Sequence, residues 1–375
     1  GPDGTGTVNG YFIGPGVDLS GSPPLTLVSG YYHNMVLMEE GNCLAWGWNN
    51  YGQANIDSDL NGIVSIDGGY YHSVAVTEEG SVFAWGRNNY GQITIPDDLG
   101  AAIAVAAGHA HTLILKEDGT VIGIGRDNYG QISVPDGLDE VKSITTGREH
   151  SLALKEDGTV VAWGRNDYGQ SSVPEDLSDV VAISAGYYHS LALTSDGKVI
   201  AWGDNSYGQG NVLEDLSGVT AIDAGGFHNL ALKEDGSVAV WGRNNYEQAT
   251  APEDLSGVIA IAAGTVHNIA LKDDGIMIGW GRNNYDQADA LIGLNPADLR
   301  EANLRRADFS GVNLSGVQLD EADLNRVISG EIEGIPASLP KDWILSKGYL
   351  IGPGANLAGA DLTDIDLSDA KISGV

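Results

Sequence analysis

The chain has 375 residues and a formal net charge of −32, from 51 acidic against 19 basic side chains. That balance repels polyanions, so it argues against nucleic-acid binding and against an anionic membrane surface, and favours a protein partner or a cationic one. No apolar run approaches the about 18 residues of a membrane-spanning helix, so no membrane insertion is expected, and the lone Cys43 has no partner for an internal disulfide. Apolar residues make up 42% and glycines number 53, which suits a large core with many tight turns. The chain opens on Gly1-Pro2, and a processed or excised chain is expected, with these two residues as a cleavage scar.

Residues 1–24 form a Gly/Pro-rich segment containing Gly10-Tyr11-Phe12-Ile13-Gly14-Pro15-Gly16-Val17-Asp18-Leu19-Ser20-Gly21. A strict repeat begins after it. His33, His72, His111, His150, His189, His228 and His267 are each separated by 39 residues, and His109 is the one further histidine. A fixed period of this length specifies a repeat architecture. Around His189 the unit reads Gly186-Tyr187-Tyr188-His189-Ser190-Leu191-Ala192-Leu193, then Asp196-Gly197, Ala201-Trp202-Gly203 and Tyr207-Gly208-Gln209.

The run Val180–Ala185 predicts a strand A, His189–Leu193 a strand B and Val199–Gly203 a strand C, with Asp196-Gly197 as the hairpin turn. A weaker strand D is expected after each Tyr-Gly-Gln, as in Gln170–Val173. Strand B carries large side chains on one face and small ones on the other, which suits sheets stacked around an axis. Four strands in each of seven units predict an all-β, seven-bladed β-propeller over residues 25–291.

Antiparallel strands put alternate loops at opposite ends. The Gly-x-x-His loops and the Trp-Gly-x-Asn-x-Tyr-Gly-Gln loops therefore share one face of the disc. The hairpins and interblade linkers share the other, where the unit pattern places 27 acidic residues. That face reads as a solvated acidic skirt, and the opposite, mixed and aromatic face as the one that meets a partner.

Residues 292–375 change to a period of five, from Ala297-Asp298-Leu299 through Ala322-Asp323-Leu324, and again from Ala355-Asn356-Leu357 to Ala370-Lys371-Ile372. A central Leu or Phe every fifth residue, with a small residue two before it, predicts a short four-sided β-helix, interrupted by a loop at 328–354. Gly348–Gly359, which runs from the end of that loop into the resumed coil, repeats Gly10–Gly21 at eight of twelve positions. Three arrangements follow: the N-terminal phrase packs on its own tail, it docks on the tail of another copy to give a homopolymer, or the chain is one module of a longer repetitive protein. Tyr11, Phe12, Ile13, Leu19, Tyr349, Leu350, Ile351 and Leu357 are the self-assembly candidates.

The Gly-x-x-His-Ser/Asn-Leu-Ala-Leu, Asp-Gly and Trp-Gly-x-Asn-x-Tyr-Gly-Gln phrases resemble the regulator-of-chromosome-condensation repeat family, in particular its short-repeat bacterial branch, which includes a seven-bladed β-lactamase inhibitor. The tail resembles pentapeptide-repeat proteins, which implies a right-handed quadrilateral β-helix. The first resemblance implies a non-enzymatic protein that binds partners through loops on one propeller face. Inhibition of a secreted enzyme such as a β-lactamase, and a self-assembling extracellular filament or surface layer, are the alternatives. An extracellular or cell-surface location is expected. The family's exchange-factor insertions are missing, and six of the eight tryptophans sit at the repeat's own position, with only Trp48 and Trp343 extra, so exchange and photoreception are set aside.

No cofactor, metal or catalytic set is expected. Seven symmetric histidines cannot converge on one ion within the ~2 Å of a ligand bond, so they read as buried structural residues hydrogen-bonded to loop backbone. The two residues before each histidine vary within a strict repeat, which marks them as candidate contacts: Tyr31, Tyr32, Tyr70, Tyr71, Arg148, Tyr187, Tyr188 and Phe227. The first of each pair is the favoured contact. Trp48 replaces an arginine beside Tyr31. Arg87, Arg126, Arg243 and Arg282 complete the set, although pairing with neighbouring acids competes with a partner for them.

Overall fold

The structure is a computed structural model, and it describes residues 6–8, 11–13, 24–288 except 39, 40, 42, 57–59, 254, 274 and 275, and 304–365 except 305–308, 310–313, 315, 316, 333, 361 and 364. Every regular element among them is a strand. In the unit of His189, strand A is Val180–Ala185, strand B is His189–Thr194 and strand C is Val199–Gly203. They pair antiparallel with B in the middle. Each of the other six units builds the same A-B-C sheet, and Pro24–Ser29 pairs with its own unit's His33–Met38, so the first blade is closed by its own strands.

The expected strand D does not form among the described residues. After strand C the chain turns and crosses onto the next blade. The glutamine of each Tyr-Gly-Gln (in the last two units Tyr-Glu-Gln and Tyr-Asp-Gln) is the pin: the Gln170 carbonyl accepts both Ser190 Oγ at 2.9 Å and Trp202 Nε1 at 2.9 Å, from strands B and C of the following unit. Its side chain holds the turn from inside, because Gln170 Oε1 accepts the Tyr168 amide at 2.9 Å. Backbone groups that a fourth strand would have paired are satisfied across the blade boundary instead.

Stacked blades bury both faces of strand B, whose first five residues are buried in every unit. The large face of one blade meets the small face of the next. Leu191 and Leu193 pack with Ala231 and Trp241, and Leu230 and Leu232 with Ala270 and Trp280. The third unit lacks the repeat tryptophan. There Ile124 stands for Trp and Ile114 for Ala, and both lie in one cluster with Val74 and Val76. One loss of volume is offset by one gain, the kind of swap cores tolerate best.

The seven histidines join the blades in a ring. Nε2 of His33, His72, His111 and His150 meets the hydroxyl of Ser73, Thr112, Ser151 and Ser190 at 2.9, 2.9, 3.3 and 3.0 Å. His189, His228 and His267 meet the amide oxygens of Asn229, Asn268 and Asn34 at 2.7, 2.6 and 2.8 Å, and the last of these closes the circle from blade seven to blade one. Each hydroxyl or amide in turn donates to a glutamine carbonyl, as Ser73 Oγ does to Gln53 and Asn34 Nδ2 to Gln287. That proton direction leaves only an acceptor for the histidine, so Nε2 carries the hydrogen in all seven. The partner is thus a side chain of the next blade, where loop backbone was expected. The glycine three before each histidine makes room for the ring: a Cβ on Gly186 would lie 2.1 Å from His189 Cε1 and 2.4 Å from the Gly225 carbonyl.

The tail is a four-sided coil. Leu304, Phe309, Leu314, Leu319 and Leu324 are buried at steps of five, and Val317, Ala322 and Val327 fill the positions between them. Successive turns lie parallel and 20 residues apart, as in the Gln318–Ser338 bridge and the Phe309 amide donating to the Ile328 carbonyl at 2.8 Å. The next turn, from Ile328 to Asn356, takes 28 residues. It carries a hairpin of Ile344–Ser346 with Tyr349–Ile351. The stretch expected as an interrupting loop therefore completes a coil and adds a hairpin. Coil residues share one apolar cluster with Val36 and Trp46 of blade one and Ile269, Leu271 and Met277 of blade seven, so the coil packs at the seam where the ring closes.

In each copy of the duplicated phrase, the Tyr-Phe/Leu-Ile segment is the second strand of a hairpin. Gly6–Val8 pairs with Tyr11–Ile13 as Ile344–Ser346 does with Tyr349–Ile351. Tyr11–Ile13 continues onto blade one's strand C, with Tyr11 opposite Trp46 and Phe12 opposite Ala45. The described part of the N-terminal phrase, Tyr11–Ile13, thus edges its own propeller. Leu19 lies outside the described residues.

Burial holds the ring histidines neutral and pulls them down to about 4 for His33, His189 and His228, and about 3 for His72, His111, His150 and His267. An unfolded chain takes up protons at these sites below pH ~6.5, and the folded chain does not until pH falls further. Their contribution is therefore complete above ~6.5 and is lost as pH falls toward 4, at about 1.4 kcal/mol per histidine per pH unit. Two buried carboxylates slope the other way: burial raises Asp67 to about 6 and raises Asp223 as well. Seven sites outweigh two. Thermal unfolding followed by circular dichroism should show the midpoint falling steeply from pH 6.5 to 4.5, and a level or rising midpoint would contradict the neutral ring.

Candidate partner-binding face

The Gly-x-x-His loops and the turns after strand C do share one face, and two concentric sets of side chains cover it. The inner set comes from the first residue after each loop glycine. Tyr31 stacks on Tyr70 with ring centroids 4.6 Å apart and planes 12° from parallel. Tyr70 meets His109 at 4.5 Å and Tyr187 at 5.0 Å, and Tyr187 Oη donates to Thr265 Oγ1 at 2.8 Å. Arg148 lies among them, its guanidinium 5.9, 5.6 and 5.5 Å from the rings of Tyr70, Tyr187 and Tyr188 and bonded to Tyr188 Oη at 2.6 Å. These residues close the axis above a channel of about 390 Å³ lined by Asp67, Thr145, Ser184 and Asp223. Burial raises the phenols of Tyr70 and Tyr187 well above the usual range and, with the Arg148 cation beside it, lowers His109 to about 4.

The favoured contacts Tyr31, Tyr70 and Tyr187 thus pack against one another over the axis and are only partly exposed, because seven loops crowd the centre. The second position packs under the loops. Tyr32 is 9% exposed and accepts from Arg282 at 2.9 Å. Tyr71 and Tyr188 lie tilted against Tyr51 and Tyr168 at 5.4 and 5.1 Å, and Phe227 edge-on against Tyr207 at 5.2 Å.

The outer set is the tyrosine of each turn after strand C: Tyr51, Tyr90, Tyr129, Tyr168, Tyr207, Tyr246 and Tyr285, all 41–48% exposed. Because they recur without change, sequence reasoning took them for turn grammar. The available signal was chemical: a large aromatic ring kept in a polar turn seven times over. The arginine following strand C in the next unit lies over five of the seven rings, Arg87 on Tyr51, Arg126 on Tyr90, Arg165 on Tyr129, Arg243 on Tyr207 and Arg282 on Tyr246, at 4.8–5.3 Å. Trp48 takes that place over Tyr285 at 6.0 Å. Arg126 and Arg165 also pair with the buried Glu149 at 3.5 and 2.6 Å, and Arg165 with Asp167 at 2.7 Å, so local acids do claim part of the series.

Arg148 is an axial residue, and its planar guanidinium serves three rings and one hydroxyl at once. Arg148→Ala should cost about 2 kcal/mol of unfolding free energy, and Arg148→Lys should recover little of it, since an ammonium lacks the plane and the fork. Denaturant titration at pH 7 measures both, and an Arg148→Lys variant as stable as the parent would remove the stacking argument.

Seven segments, 26–53, 63–92, 102–131, 141–170, 180–209, 219–248 and 258–287, match the regulator of chromosome condensation (RCC1) repeat, and residues 294–328 match pentapeptide repeats. No curated protein sequence matches the chain. Among solved structures, Prp20p of Saccharomyces cerevisiae is similar at 21% identity with a TM-score of 0.56, over 71% of this chain and 84% of that one. The ectodomain of the Arabidopsis thaliana receptor kinase ACR4 is similar at 19% identity and 0.56, over 72% and 99%. The corresponding ectodomain of the Physcomitrella patens kinase CR4 gives 19% and 0.56, over 68% and 72%. At these identities the likeness is one of fold, while the seven repeat matches take in more than half of the sequence. By its sequence and its seven stacked sheets, the chain belongs to the RCC1 repeat family and carries pentapeptide repeats behind the propeller.

Proposed function

We propose that the chain is a non-enzymatic binding module whose protein partner docks on the tyrosine–arginine face. The observation that carries this is the outer ring, in which seven half-exposed tyrosines surround the axis and five carry a stacked arginine. Tyrosine offers large contact area at low entropic cost, and tyrosine and arginine are the residue types that dominate interface energies. Holding them against one another in the free chain lowers the ordering cost of binding. The other face is bristling with exposed carboxylates. Prp20p, a relative in fold, is described together with its binding to Gsp1p and histones, which supports protein recognition as a use of this architecture.

Inhibition of a secreted enzyme would be one instance of such docking, and an extracellular or cell-surface setting belongs to the same proposal. Linkage of copies through the terminal phrases gains no support, since Leu350 and Ile351 are fully buried in their own coil.

Two variants test the face. One replaces Tyr90, Tyr129, Tyr207 and Tyr246 by serine. The other replaces Glu78, Glu79, Glu156 and Asp157 on the opposite face by their amides. Proteins that co-purify with the parent chain from its native source should fall at least about tenfold with the first variant, the loss of one or two anchors, and persist with the second. The reverse pattern would assign binding to the acidic face.

A further inference from the structure

We propose that the exposed ring of Tyr168, beside Asp204, is a docking slot for an arginine side chain supplied by the partner protein. This rests on the reading of the tyrosine–arginine face and names the chemistry of one contact on it.

The sevenfold pattern shows the slot by its single vacancy. Five of the outer tyrosines are covered by an arginine from the next unit, and Tyr285 is covered by Trp48. Tyr168 is covered by neither and is 48% exposed. The residue that would reach it is Asp204. Its backbone stands where the arginines stand: the Asp204 amide donates to the Tyr188 carbonyl at 2.8 Å, as the Arg243 amide does to Phe227 and the Arg87 amide to Tyr71, both at 2.8 Å. Its side chain turns back. Asp204 Oδ1 accepts the Ser206 amide at 3.1 Å, and Oδ2 accepts Gln209 Nε2 at 3.0 Å. The place of a guanidinium over Tyr168 is left unfilled, with the Tyr188 ring at its side.

Charge points to the same guest. Asp204 is 7% exposed and has no basic partner among the described ion pairs. Carboxylates are seldom buried so far without a cation. At every other position of this series the chain places arginine or tryptophan, so one site has reversed its charge while keeping its aromatic floor. Arg165 and Arg148 lie over Tyr188 at 5.0 and 5.5 Å, which directs a guest to Tyr168. Asp204 also accepts Ser206 Oγ, so its oxygens are held by its own turn and act on a guest through charge. A guanidinium fits better than an ammonium because its plane stacks on the ring. The net charge of −32 draws a cationic segment toward the chain from a distance.

The probe is N-acetyl-arginine methylamide, titrated at low salt while the Tyr168 ring signals are followed by NMR. A saturable shift confined to Tyr168 and Tyr188 is expected, roughly tenfold weaker for the lysine analogue and for Tyr168→Leu, the worth of one stacked cation. In Asp204→Arg the chain's own guanidinium fills the slot, and the shift should vanish. An equal shift at all seven outer tyrosines, or an undiminished shift in Asp204→Arg, overturns the proposal. If Asp204→Arg fails to fold, Tyr168→Leu decides alone: a parent-like affinity for the arginine probe overturns it. The four-tyrosine variant of the face test retains Tyr168 and Asp204. Loss of the slot with partner binding intact at the other tyrosines, or the converse, therefore separates this proposal from the wider reading.

Discussion

The histidine-to-hydroxyl contact between neighbouring blades is the constraint on which the rest of the molecule depends. It is one bond per blade, but it fixes three things together. The glutamine carbonyl takes the hydroxyl's proton, so the histidine must donate. The histidine must then be neutral, and its ring must lie flat against a glycine. The same carbonyl accepts the tryptophan indole in five of the units. Histidine, glutamine and the small polar residue of strand B are thus one network, joined by the tryptophan in five units, in which loss of the hydroxyl or amide takes a buried partner from both the histidine and the glutamine. That interdependence explains why the unit tolerates variation at the two residues before the histidine and so little elsewhere.

Asparagine and serine serve interchangeably in this network for a definite reason. Both present a donor and an acceptor from nearly one point, so both can receive from histidine while giving to glutamine. The change from hydroxyl to amide falls at blades six, seven and one, around the closing seam. Among the described residues the seam is held by His267 with Asn34, Arg282 with Tyr32 and Trp48 with Tyr285. The coil adds its leucines to the same apolar cluster. A repeat ring has no intrinsic end, and here the extra packing is placed where opening would begin.

Sequence periodicity was enough to count blades, to place strands A, B and C, to sort the loops onto two faces and to see that the histidines are structural. Each of those follows from local spacing. The misreadings share one cause, which is that their answers lie across a blade boundary. Whether residues after Trp202 run back along their own sheet or step to the next depends on where the Gln209 carbonyl finds donors, and those donors are Asn229 and Trp241 of another unit. Whether Tyr31 faces out or in depends on how much room seven loops leave at an axis that no single unit contains. Variation within the repeat was a sound guide to where the fold relaxes its demands. It was a poor guide to exposure, because the relaxed inner positions face a crowded centre.

A perfect repeat also hides its own surface. Tyr51 and its six equivalents look structural because they never change, yet a residue can recur for the sake of a ring of identical contacts as readily as for a core. The difference shows only in exposure, where Trp202 and Tyr207, five residues apart in the same unit, stand at 8% and 46%. On such a surface a partner cannot be oriented by the repeated residues, since sevenfold equivalence offers seven equal poses. Orientation has to come from the positions that break the pattern. Glu149, Trp48, the non-glycine left-handed residues Glu247 and Asp286 at φ of 64° and 59°, and Asp204 are those positions. They are spread around the ring rather than gathered at one blade, so a partner docked as proposed would have to span the face to meet them, with the tyrosines between them supplying area and the exceptions register.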